Sequence, residues 1–76
     1  MSTSPIRTVE ISDDGIRLGQ FLKLADLAED GSHARELLED GLVTVNGRAE
    51  NRRGRQLVDG DVVAVDDQRA KVVARG

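Results

Sequence analysis

The sequence predicts an α+β domain, with two short helices packed on a small, mostly antiparallel sheet. Two changes of hydrophobic period predict it. Apolar residues step at helical spacing from Leu18 to Leu38, and at a spacing of two in Val9–Ile11 and again from Val43 onward. The punctuation agrees, because Gly41, Asn46-Gly47 and Asp59-Gly60 fall where the periods break.

Each element has its own reason. Residues 1–5 read as a polar, disordered leader, and residues 6–76 as one domain. Val9 and Ile11 alternate with Thr8 and Glu10 as a first strand, stopped by Ser12-Asp13-Asp14-Gly15. Leu18, Phe21, Leu22 and Ala25 lie at i, i+3, i+4 and i+7, one face of a first helix, with Asp26 to Ala28 near its C-terminal end.

Asp30-Gly31-Ser32 is a break and a fresh N-cap, since short oxygen side chains accept from the orphan amides of a helix start. Ala34, Leu37 and Leu38 carry the second helix, and Gly41 is its left-handed stop. Val43 and Val45 share one strand face with Thr44 opposite, and Asn46-Gly47 is a tight hairpin turn. Leu57-Val58 leads into Asp59-Gly60, Val62 to Val65 reads as a buried strand, and Asp66-Asp67-Gln68 turns the chain into a last strand at Lys71–Val73.

Composition excludes most chemistry. The chain has 76 residues, no Cys, no Tyr, no Trp and a single His. A domain this short buries only about 60% of its unfolded surface. Without thiols there are no disulfides or thiolate metal sites, and one imidazole without an evident partner makes His33 a poor base. No catalytic residue, metal, cofactor or small-molecule substrate is expected. The longest apolar run, Val62–Val65, is far below the ~20 residues of a membrane span, and no secretory pattern opens the chain. The expected location is the cytoplasm, with no membrane partner.

Net charge is −3, which by itself argues against nucleic acid, yet the charge is segregated. Between Asn46 and Gln56 stand Arg48, Arg52, Arg53 and Arg55 against the single acid Glu50, so this stretch is +3 and the remainder −6. A locally basic face suffices for a phosphate backbone, and arginine favours its bidentate geometry. The competing reading is a solvated loop whose arginines pair with nearby acids. Arg35 would project from the second helix near Ser32 and His33, where helix-start amides also favour anions. The one Phe belongs to the core, so no aromatic platform serves single strands, and structured RNA fits better.

The string Ala34-Arg35-Glu36-Leu37-Leu38-Glu39-Asp40-Gly41-Leu42-Val43-Thr44-Val45-Asn46-Gly47 resembles the core of the S-four-type RNA-binding domain, or alpha-L motif. Arg17-Leu18 at the first helix and Gly60-Asp61-Val62-Val63 extend the likeness over roughly Ile16 to Val65. The segment from Glu50 to Leu57 is similar to that of the small stand-alone bacterial, ribosome-associated members. The resemblance implies a protein without enzymatic activity that binds structured RNA, rRNA or tRNA, or the ribosome. It implies RNA contacts from the second helix and the following hairpin, matching Lys23, His33, Arg35, Asn46, Arg48, Arg52, Arg53 and Arg55, with Ser32 and Gly47 beside them. The chain departs from the family pattern in two places: Gly31-Ser32 replace a frequent arginine pair, and Gly19 stands where an aspartate is common.

Two other readings compete. Val45-Asn46-Gly47 with Leu57 to Val63 also looks like part of a ubiquitin-like sulfur carrier, but such proteins end in Gly-Gly and this chain ends Ala74-Arg75-Gly76. A protein-binding adaptor using the acidic face is the third.

Overall fold

The computed structural model describes residues 6–12 and 14–75. The leader expected at residues 1–5, Asp13 of the first turn cluster and the terminal Gly76 lie outside the described residues. The elements run β1 (Arg7–Ile11), β2 (Ile16–Arg17), α1 (Leu18–Leu24), α2 (Gly31–Glu39), β3 (Val43–Val45), β4 (Arg48–Ala49), β5 (Gln56–Leu57), β6 (Val62–Val65) and β7 (Gln68–Ala74). Five strands form one sheet in the order β1-β7-β6-β3-β4, and β2 pairs with β5 as a separate ribbon.

Both helices end by the same device. In α1 the Asp26 amide donates to the Lys23 carbonyl and the Leu27 amide to the Leu22 carbonyl. In α2 the Gly41 amide donates to Leu38 and the Leu42 amide to Leu37. These paired bonds satisfy orphan carbonyls and need a left-handed residue at the turn. Gly41 adopts φ +71° without cost, whereas α1 puts Asp26 there at φ +63°. The expected start of α2 also holds, with Asp30 Oδ1 accepting from the His33 amide at 2.8 Å.

The core lies between the helices and one sheet face. Leu18, Phe21 and Leu22 from α1, Leu37 and Leu38 from α2, and Val43, Val63 and Val72 from the sheet are buried together. Burial along β6 alternates, with Val63 and Val65 inside and Val62 and Ala64 half-buried. The continuous buried strand expected there is therefore a half-buried one, because helices cover only one face of the sheet.

Two pairings span the longest stretches of chain. β1 joins β7 in parallel, Arg7 opposite Ala70 and Ile11 opposite Ala74. β2 pairs antiparallel with β5, Ile16 opposite Leu57. The second pairing brings the segment after the hairpin back onto the start of α1, which builds the basic face.

Candidate nucleic-acid interface

The segment 50–55 is folded around its one acid. Glu50 accepts from the Arg52 amide at 3.1 Å, from Arg52 Nε at 3.2 Å and from Arg55 Nη1 at 3.0 Å. The Arg52 side chain, then that of Arg55, then the Arg52 amide hold the Glu50 carboxyl down from 4.5 to about 2. Of the two readings of this loop, pairing with a nearby acid holds for Arg52 and Arg55. Arg52 and Arg55 turn back onto Glu50, two and five residues away in the same loop.

Backbone carbonyls complete the loop's attachment. The Leu18 amide donates to the Arg55 carbonyl at 2.8 Å and the Gly19 amide to the Arg53 carbonyl at 2.9 Å. The first amides of α1 are thereby satisfied by the loop. Gly19 permits this approach, because a Cβ there would stand 3.2 Å from Arg53 Cβ. Arg17 Nη1 donates to the Gly54 carbonyl at 3.1 Å, tying the other side of the loop to the helix start.

Docking the loop on α1 leaves a groove of about 280 Å³ between α1, α2 and residues 53–54. Arg17, Lys23, Arg35 and Arg53 line it, and no acidic residue does. All four of these side chains are exposed, while Ala34 and Leu38 at the base are buried. Arg35 Nε is paired with Glu39 at 3.2 Å across one turn of α2, both side chains well exposed. Among the described residues, Lys23, Arg48 and Arg53 make no ion pair.

Of the residues expected to bind RNA, the groove gathers Lys23, Arg35 and Arg53. Arg48 is exposed on the edge strand β4 and Gly47 sits in the hairpin turn at φ +84°, both outside the groove lining. Ser32 is exposed in the first turn of α2. His33 is directed elsewhere: its Nδ1 accepts from the Glu29 amide at 3.0 Å, in a depression it shares with Asp26, Asp66 and Asp67. Asn46 uses its side chain within the fold, donating to Asp61 Oδ1 and accepting from the Val62 amide, both at 3.0 Å.

Sequence reasoning did not count Arg17, Gly19 and Gly31 among the site residues. A helical-wheel signal was present, for Gly31, Ala34, Arg35 and Leu38 form one stripe at i, i+3, i+4 and i+7. Gly19 and Lys23 are likewise one turn apart. Nothing local, however, places residues 53–54 beside them.

Residues 9–73 match the model of the S4 domain. The chain is 47% identical over 58 residues to the probable ribosome maturation protein RlbA of Bacillus subtilis (strain 168), covering 76% of this chain and 82% of that protein. The solution structure of YbcJ from E. coli, described as revealing an alfaL motif involved in RNA-binding, matches with a TM-score of 0.72 at 28% identity, over 97% of this chain and 95% of that one. Two helices packed on a mostly antiparallel sheet are common to both. With the family model spanning nearly the whole folded region and a close relative aligned across three-quarters of the chain, this protein belongs to the S4 domain family.

Proposed function

We propose that this protein binds structured RNA as an accessory factor of ribosome maturation, with residues 6–76 acting as one domain and rRNA as the RNA it meets. One observation carries the reading: in a chain of net charge −3, the groove beside the family's helices is lined by four cations and no acid. A surface of this kind recruits phosphates by counterion release, whatever the overall charge. Membership of the S4 domain family, the ribosome maturation role named for RlbA and the RNA-binding motif described for YbcJ support it.

Arg17, Lys23, Arg35 and Arg53 form the principal contact surface in this reading, with Arg48 and the outward edges of Arg52 and Arg55 extending it along the hairpin. Asn46, Gly47 and His33 act by shaping the face, and Ser32 borders it. No reaction is assigned, since the only imidazole is bonded to a backbone amide away from the groove. Among the described residues, no helix is long and apolar enough to cross a membrane.

The ubiquitin-like alternative receives no support, because α1 and α2 both precede the β3–β4 hairpin. The test is a titration of the purified protein against structured rRNA and tRNA fragments at low and moderate salt. Steeply salt-dependent binding, tighter for rRNA and weakened by Arg17→Ala with Arg53→Ala, is expected. Absence of binding at low salt would overturn the reading.

A further inference from the structure

We propose that the groove receives a single unpaired nucleotide, extruded from the RNA fold, with its base over the apolar base of the groove and its phosphates on the cationic rim. This rests on the RNA-binding reading above and specifies what that site takes.

Three features support an extruded nucleotide over a duplex backbone alone. The first is shape. A groove of about 280 Å³ lies just below the ~300–1,000 Å³ of small-molecule pockets, so it fits one nucleotide and no helix. A duplex backbone would rest on the rim and leave the interior empty. The second is chemistry. Buried Ala34 and Leu38 line the bottom while exposed cations stand at the edge, which suits a flat, weakly polar ring joined to an anionic linker. The third is a stacking surface in a chain whose one Phe, Phe21, is fully buried and whose one imidazole, His33, does not line the groove. Arginine planes serve unpaired bases where aromatics are missing. The Arg17 guanidinium is suited to this, because its bond to the Gly54 carbonyl holds it in place beside the groove.

Glycines keep the groove open. Gly19 and Gly31 stand at its sides, and a Cβ built on Gly31 meets nothing within 4 Å. Gly31 lines the groove and its Cβ position is open, so a larger residue there has room to extend into the groove. It would also raise the helix propensity of the first turn of α2.

The experiment compares three RNA hairpins of one sequence: fully paired, with a one-nucleotide bulge, and with an abasic site at the bulge. Wild-type protein is expected to bind the bulged hairpin about tenfold or more tightly than the other two. Gly31→Leu, which leaves the charge unchanged, is expected to erase that preference while retaining the thermal midpoint. Equal affinity for all three hairpins would overturn the inference while leaving RNA binding intact. Equal affinity for the bulged and abasic forms would reduce the site to a phosphate subsite and also overturn it. Failure of the wild-type protein to bind any of the three at low salt would count instead against the RNA-binding reading.

Discussion

Asn46 Nδ2 donates to Asp61 Oδ1 at 3.0 Å, joining the hairpin turn to the start of β6. The bond is one of a set: Asn46 Oδ1 accepts from the Val62 amide, the Asn46 amide donates to the Val62 carbonyl, and Asp61 Oδ2 accepts from the Val58 amide. Val-x-Val-Asn-Gly and Gly-Asp-x-Val, met in the sequence as two separate motifs, are therefore one hydrogen-bonded unit. Asp61→Ala strips partners from both Asn46 Nδ2 and the Val58 amide. It is expected to cost about 1–3 kcal/mol, at ~4–8 °C of Tm per kcal/mol for a domain this size. RNA affinity measured well below the new Tm should stay within about twofold. A stable Asp61→Ala that loses RNA binding would instead make the unit a contact surface.

Asp26 occupies the left-handed position that ends α1, at φ +63°, where α2 uses Gly41. An L side chain in that region costs about 1 kcal/mol, and aspartate tolerates it better than most. Asp26→Gly is expected to stabilise the fold by roughly 0.5–1 kcal/mol, and Asp26→Val to destabilise it. Urea unfolding checks both. A glycine variant with a lower midpoint and unchanged m-value would contradict the assignment.

How much of this was legible in the sequence follows the range of the interactions. Asp30 as N-cap, Gly41 as stop and Asn46-Gly47 as turn are set by bonds a few residues long, and the structure has them where the sequence predicts. Arg7 opposite Ala70 and Ile16 opposite Leu57 could not be read, because strand partners are chosen by packing and not by local spacing. The groove shares that limit. Its two helical stripes are visible at i, i+3 and i+4, but its third wall comes from Arg53 and Gly54, brought in through the β2–β5 ribbon. The arginine cluster was legible as charge, and pairing with acids was one of its two readings, but which arginines Glu50 takes depends on how the loop closes.

Glu50 makes a pH prediction with a definite sign. Its carboxyl is held at about 2 in the folded protein by Arg52 and Arg55. In the unfolded chain it returns toward 4.5, so the unfolded state takes up the proton first as pH falls. The stabilisation is complete above the unfolded value and is lost between about 4.5 and 2. Glu50→Gln removes this contribution, so the Tm of the variant should fall less steeply than that of wild type across this window. Parallel Tm curves there would refute the role given to Glu50. Between pH 5 and 8 the carboxylate stays charged, and it adds no pH dependence to RNA affinity.

Gly19 tests the approach of the loop to α1. Gly19→Asp places a carboxylate beside Arg53 in a groove whose lining holds no acid. RNA affinity is expected to fall roughly five- to tenfold at moderate salt, on the order of 1 kcal/mol for a charge in a hydrated groove. Gly19→Ala is the control. It adds the same Cβ without the charge, so Arg53 need shift only by a few tenths of an ångström. Its affinity should remain within about twofold of wild type. If the alanine variant loses as much as the aspartate one, crowding and not charge governs the site.

Arg52 and Arg53 are adjacent in sequence and opposite in state, which separates their contributions to salt dependence. Arg53 is exposed and unpaired among the described residues, so a phosphate contact there releases counterions fully. Arg53→Ala is expected to lower the slope of log K against log salt by about one. Arg52 already gives its Nε to Glu50 at 3.2 Å, and a carboxylate partner takes the place of part of its counterion atmosphere. Arg52→Ala should therefore change the slope by less than half as much. Its affinity loss at low salt would come mainly from leaving Glu50 to Arg55 alone, and Arg52→Ala with Glu50→Gln should recover it. Equal slope changes for the two single variants would show that RNA binding pulls Arg52 away from Glu50, and that the ion pair of the free protein is broken in the complex.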